Sequence, residues 1–298
     1  MSLLTDLKLP TGAARQEKIA TAKKKPRKHN DVLFYLSAGF VALVVLVAFF
    51  GRYIAPFDPN AIDFQLINAA PGQDGHLLGT DQNGRDIFSR LLVGARSSML
   101  GALIVTIGST IMSIIIGAVA GWYGGWVDNL LSRVIDFLFA FPGLLLAVFA
   151  VAIFGPGLMA PAIALSVAFI PAAARLIRNA VVQERSKDYV RSLEVLGFGG
   201  IVIFLRHVFP NVAAPYLSMQ FLCFGYSMVD LAAISFLGLG VQPPTSDWGL
   251  MVSEGQSSFL AGTIWPVLWP SAAIVLTVVA INYVGEQLTE KWRGRSHV

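Results

Sequence analysis

The sequence is poor in the residues that carry out chemistry. Its one cysteine, Cys223, lies inside an apolar run, which excludes an intrachain disulfide and a cysteine metal cluster. The histidines, His29, His76, His207 and His297, are far apart and show no ligand spacing. There is no helical His-Glu-x-x-His pair, no glycine-rich phosphate loop ending in Lys-Ser/Thr, and no nucleophile elbow. The expectation is therefore no catalytic residue, no metal site and no cofactor bound by this chain. Charge is scarce too. Asp, Glu, Lys and Arg make up 13% of the 298 residues, about half the share of a soluble domain. No Lys or Arg occurs between His207 and Glu290.

What the chain has instead is hydrophobic length. At 55% hydrophobic it reads as an integral membrane protein. The pI near 9.3 could suggest nucleic acid, but the cations flank apolar runs and form no binding face. Lys23, Lys24, Lys25, Arg27 and Lys28 precede the first run, and residues 1–30 read as a basic tail on the cytoplasmic side. The first span is expected within 31–51, where Val32–Phe50 supplies about 19 apolar residues, enough for roughly 30 Å of hydrocarbon.

Residues 52–96 then form an outer loop. Asn83-Gly84 marks a turn, and from Arg85 onward Ile87, Phe88, Leu91, Leu92 and Ala95 fill one helical face. That pattern suits an amphipathic helix in the headgroup plane, with its arginines snorkelling. Residues 97–288 hold the remaining five spans. Gly155-Pro156-Gly157 splits one long uncharged run, and Pro142 and Pro171 predict kinks. Trp122, Tyr123 and Trp126 look like interface anchors. Residues 289–298 form a second cytoplasmic tail, so six spans leave both ends inside. All Lys and Arg except Arg52, Arg85, Arg90 and Arg96 then fall on the inner side.

The one long polar interruption in the second half, 179–210, is the most informative stretch. A short helix is predicted from Asp188 to Leu196, with Tyr189, Leu193 and Leu196 on one face and Arg191 and Glu194 elsewhere. Gly197, Gly199 and Gly200 break it, and Pro210 suits the first turn of the next helix. The segment is either a solvated loop or a peg for a cytoplasmic partner. Two intramembrane features stand out. Asp230 either lines a pathway or serves local structure, since carboxylates are costly there. Arg133 and Asp136, three apart, suit a structural ion pair.

Three stretches resemble one family, the permease subunits of binding-protein-dependent ABC importers of the dipeptide, oligopeptide and nickel group. HLLGTDQNGRDIFSRLLVGAR resembles the outer-loop signature of its second, C-type permease, and AAISFLGLGVQPPTSDWG the signature after the fifth span. The third stretch aligns with the family's Glu-Ala-Ala loop. Gly197 and Pro210 match its glycine and proline, whereas Arg191, Ser192 and Leu193 stand at the Glu-Ala-Ala positions. The resemblance implies an all-α type I importer domain of six spans in a bacterial inner membrane. It further implies a B-type permease partner, two ATP-binding subunits that carry ATP and Mg, and an extracytoplasmic solute-binding protein. The short helix would be the ATPase-coupling element, comprising Tyr189, Arg191, Ser192, Leu193, Glu194, Leu196, Gly197 and Pro210. A secondary transporter or channel working without ATPase subunits is the competing expectation, and a membrane scaffold a third.

Overall fold

The computed structural model describes residues 31–295, so the expected basic tail 1–30 and the last residues, 296–298, lie outside the described residues. Among the described residues the chain is helical, and the β pairing present is an isolated bridge between Thr80 and Asp86. In lipid each backbone N–H and C=O has to be satisfied internally, and a helix does so within one segment. In chain order the helices are α1 (Asp31–Ile54), α2 (Ile87–Tyr123), α3 (Gly125–Phe139), α4 (Gly143–Phe154), α5 (Met159–Arg185) and α6 (Asp188–Val195). There follow α7 (Gly200–Ile203), α8 (Phe209–Phe236), α9 (Trp248–Glu254), α10 (Gln256–Leu260) and α11 (Trp265–Arg295).

Five of these, α1, α2, α5, α8 and α11, are long and apolar enough to cross a membrane. The pair α3–α4 makes a sixth if counted as one span, bent by 80° at its break. The bend falls at Pro142, whose ring disfavours helical backbone at the residue before it. Pro171, by contrast, lies inside a helix that runs unbroken to Arg185. Because successive crossings reverse direction, α6 shares one end of the bundle with the ends of α2 and α5 and the start of α8. The opposite end carries 55–86, the Gly155–Gly157 turn and 237–264.

One expectation is corrected here. The amphipathic stretch after Arg85 is no separate helix in the headgroup plane. It is the first three turns of α2, which runs 37 residues, or about 55 Å at 1.5 Å per residue, far beyond a hydrocarbon core of roughly 30 Å. Asp86 starts it by accepting from the Ser89 N–H at 2.7 Å. Arg85 and Arg90 do not snorkel either. Arg85 reaches Asp81 at 2.7 Å and Glu254 at 2.9 Å, and Arg90, 1% exposed, reaches Glu254 at 2.6 Å. Two arginines on the side where cations are expected to be rare are thus neutralised within the protein. They also clamp the loop before α2 to α9.

The centre of the bundle is α2 against α5. A Cβ added at Gly117 would fall 2.6 Å from the Ala174 carbonyl oxygen, and one at Gly121 2.9 Å from that of Arg178. Only glycine allows this approach, which is how helices in lipid gain packing contact without a hydrophobic drive. Around this pair, Val105, Ala162 and Leu165 pack with Leu231 and Ile234 of α8. At the far end Asp247 caps α9 through the Gly249 and Leu250 N–H groups and accepts the Ser98 hydroxyl at 2.6 Å. By contrast α1 is peripheral. It packs on α2 and α11 and exposes Val32, Leu36, Leu46 and Phe49.

Candidate functional site

The short helix α6 ends for a visible reason. The Gly197 N–H donates to the Glu194 carbonyl at 3.0 Å and the Phe198 N–H to that of Leu193 at 3.2 Å, while Gly197 takes φ 83°. This pairing is a Schellman stop, which needs a left-handed residue after the cap. At the other end Lys187 is extended and Asp188 sits in the first turn, where a carboxylate suits the helix dipole.

Of the face read from the sequence as Tyr189, Leu193 and Leu196, only the first two meet the bundle. Val190, not singled out from the sequence, is fully buried against Ile177, Val181, Ile203, Val208 and Tyr216. Tyr189 and Leu193 pack beside it and secure the helix to the bundle. Leu196 belongs elsewhere, because it is the cap where the helix has already ended, and it is 72% exposed. The outward surface consists of Arg191, Ser192, Glu194, Val195, Leu196 and Phe198, all exposed. Exposed apolar side chains continue past it at Ile201, Val202 and Leu205. Pro210 stands in the first turn of α8, as expected, after a π-helical turn from Phe204 to Val208.

Polar contacts fix α6 as well as apolar ones. Glu184, in the last turn of α5 and buried, accepts the Tyr189 hydroxyl at 2.8 Å and the Asn211 amide at 2.8 Å, and pairs with Lys187 at 2.7 Å. Burial, and next the neighbouring Glu184 carboxylate, push the Tyr189 phenol up to about 12. It therefore remains a neutral donor at physiological pH. Arg185 donates to the Trp122 carbonyl and stacks 5.1 Å from the centre of its ring. Trp122 also meets Phe204 edge-on. Trp122 is thus held by protein contacts at the end of α2, whereas Tyr123 and Trp126 are exposed.

The Arg133–Asp136 pair is not formed. Asp136 instead pairs with Arg175 of α5 at 2.6 Å, and Arg178 pairs with Asp128 at 2.5 Å. Packing α3 on α5 brings these cations closer than the position one turn away. Arg133 is exposed and makes no ion pair among the described residues. Asp230 is half-buried on α8, on the side that exposes Tyr226 and Val229, and forms no hydrogen bond or ion pair among the described residues. No cluster of His, Cys, Asp and Glu able to hold a metal occurs among them.

Comparison with known proteins follows the same lines. The family profile described as "Binding-protein-dependent transport system inner membrane component" matches residues 113–290, from mid-α2 into α11. That of the "N-terminal TM domain of oligopeptide transport permease C" matches residues 30–71, which hold α1 and the start of the outer loop. The chain is 42% identical over 256 residues to the dipeptide transport system permease protein DppC of Escherichia coli K12, covering 84% of this chain and 85% of that protein. It is 40% identical to the di/tripeptide transport system permease protein DppC of Pseudomonas aeruginosa UCBPP-PA14, with 84% of each chain covered. Identity is 41% to the glutathione transport system permease protein GsiD of Escherichia coli O6:K15:H31, over 85% of this chain and 84% of that one. Among solved structures, an inward-facing form of the MetNI methionine ABC transporter matches with TM-score 0.57 at 15% identity, covering 68% of this chain and 96% of that one. At that identity the likeness concerns the fold alone.

Proposed function

The chain belongs to the family of binding-protein-dependent transport system inner membrane components, as a permease subunit of an ABC importer, and from that premise we propose that it carries small peptides. The relatives named for dipeptides, di- and tripeptides and glutathione support this substrate class. The partners proposed here are separate chains. A B-type permease forms the pathway together with this chain, two ATP-binding subunits hold ATP and Mg, and an extracytoplasmic binding protein delivers the peptide. Both chain ends are proposed to face the cytoplasm. Hydrolysis takes place on the partner subunits, and this chain contributes no catalytic residue.

The observation that carries the reading is α6 itself. It is a short helix seated by Val190 on the inner ends of α2, α5 and α8, and it presents Val195, Leu196 and Phe198 to the outside. An exposed apolar tip on a buried seat suits a groove in an ATPase subunit. Two ATPases that close on ATP draw two such tips together. A ligand can shift a two-state equilibrium only by its differential interaction with the two states, and this contact supplies it. Asp230, on the exposed side of α8, is proposed to line the pathway and meet a peptide amino group.

The secondary-transporter reading is set aside, because the family match and the close relatives are all of ABC importer subunits. The test of the proposal is reconstitution of the chain with a B-type permease, candidate ATPases and a binding protein. ATP-dependent uptake of a labelled dipeptide is expected. Uptake by the chain alone, driven by an ion gradient, would overturn it.

A further inference from the structure

We infer that Glu184 is a positioning residue for transport, the joint through which displacement of α6 reaches the translocation helices α5 and α8. This rests on the reading of α6 as the ATPase-coupling element and adds to it the residue that transmits the stroke. Glu184 lies on neither the outward surface of α6 nor the pathway side of α8, so neither docking nor solute contact accounts for it.

Three elements meet at one carboxylate. Oε1 accepts from Tyr189 of α6 and from Asn211 in the first turn of α8, both at 2.8 Å, while the carboxylate itself belongs to the last turn of α5. Asn211 donates also to the His207 carbonyl at 3.0 Å, which ties the π-helical turn into the same cluster. Glu184 is 7% exposed. A buried carboxylate is costly unless its hydrogen bonds are made, and here they are made across elements rather than within one helix.

The apolar seat alone would leave α6 free to slide. Contacts of Val190 with its neighbours are non-directional, and burial is nearly constant for small rotations about the helix axis. The hydrogen bonds are directional, and they weaken steeply when bent or stretched. Moving α6 by a fraction of a turn must therefore either break them or carry the inner ends of α5 and α8 along. Lys187 contributes little to this rigidity, since it is 56% exposed and such ion pairs are worth little.

The experiment uses the complete transporter in proteoliposomes, with Glu184→Ala and Tyr189→Phe. Three quantities are read: ATPase subunits retained on purification, ATP hydrolysis stimulated by binding protein, and dipeptide uptake. Because Val190 and Leu193 still seat α6, ATPase retention and hydrolysis are expected to persist. Uptake per ATP hydrolysed should fall about tenfold in Glu184→Ala and about threefold in Tyr189→Phe, as loss of charge-assisted hydrogen bonds implies. Should Glu184→Ala fail to insert, Tyr189→Phe keeps the carboxylate and the ring and gives the same readout. An unchanged ratio in Tyr189→Phe, or uptake lost only in step with the ATPase subunits, overturns the joint. The docking reading is tested separately, by crosslinking from Leu196→Cys in a Cys223→Ser background. Its failure there would leave a recognisably different result from failure of Glu184 to matter.

Discussion

Removing the Glu254 carboxylate should unclasp the end of the bundle opposite α6 at a cost readable in free energy. Glu254 is the shared acceptor for Arg85 at 2.9 Å and Arg90 at 2.6 Å, and these side chains are 6% and 1% exposed. Asp81 is the remaining carboxylate of the group, 2.7 Å from Arg85 and 3.6 Å from Arg90. In Glu254→Ala two buried guanidinium groups share one counter-ion. Breaking a buried pair by deleting one partner typically costs about 3–5 kcal/mol, and that range is the expected loss. The double variant Arg90→Met/Glu254→Leu removes one charge of each sign and leaves Arg85 with Asp81. Apolar replacement of a whole buried pair is close to neutral, so the double variant should recover most of the loss, with a coupling of at least about 2 kcal/mol. Reversible unfolding in mixed micelles measures Glu254→Ala, the double variant and its two single variants, Arg90→Met and Glu254→Leu. A loss below about 1 kcal/mol in Glu254→Ala, or a double variant worse than either single one, would refute the reading of the network as a buried clasp.

Other consequences are as direct. Gly197→Ala places a Cβ at φ 83°, which costs about 1–2 kcal/mol and loosens the Schellman stop, so ATP hydrolysis should persist while uptake falls; equal uptake per ATP would count against it. Leu196→Asp puts a charge on the outward tip without touching the seat of α6, and it should release the ATPase subunits on purification; full retention would remove α6 as the docking element. Asp230→Asn is expected to lower uptake with assembly unchanged, and unaltered transport kinetics in an assembled variant would dismiss its pathway role.

How far these features were legible in the sequence depends on the distance over which each is written. The spans are local statements of length and polarity, and so is the stop at Gly197, which a glycine after a short amphipathic turn announces. The seat of α6 was only half legible. A helical wheel extended to Leu196 puts it on one face with Tyr189 and Leu193, but the helix ends at Val195, and the residue it buries fully is Val190. Glu184 gave no signal at all. It stands in a polar run that reads as solvated, and its partner Asn211 is 27 residues away. Arg133 and Asp136 misled for the opposite reason, because the near neighbour was audible and the winning partner, Arg175, lies 39 residues on in another helix. Arg85 and Arg90 show what a long-range signal can look like in one dimension. They are cations where the charge bias disfavours them, and the departure itself points to a hidden acid, which Glu254 supplies, 164 residues beyond Arg90. A residue that breaks a local rule in a membrane chain is thus better searched for a distant partner than excused by snorkelling.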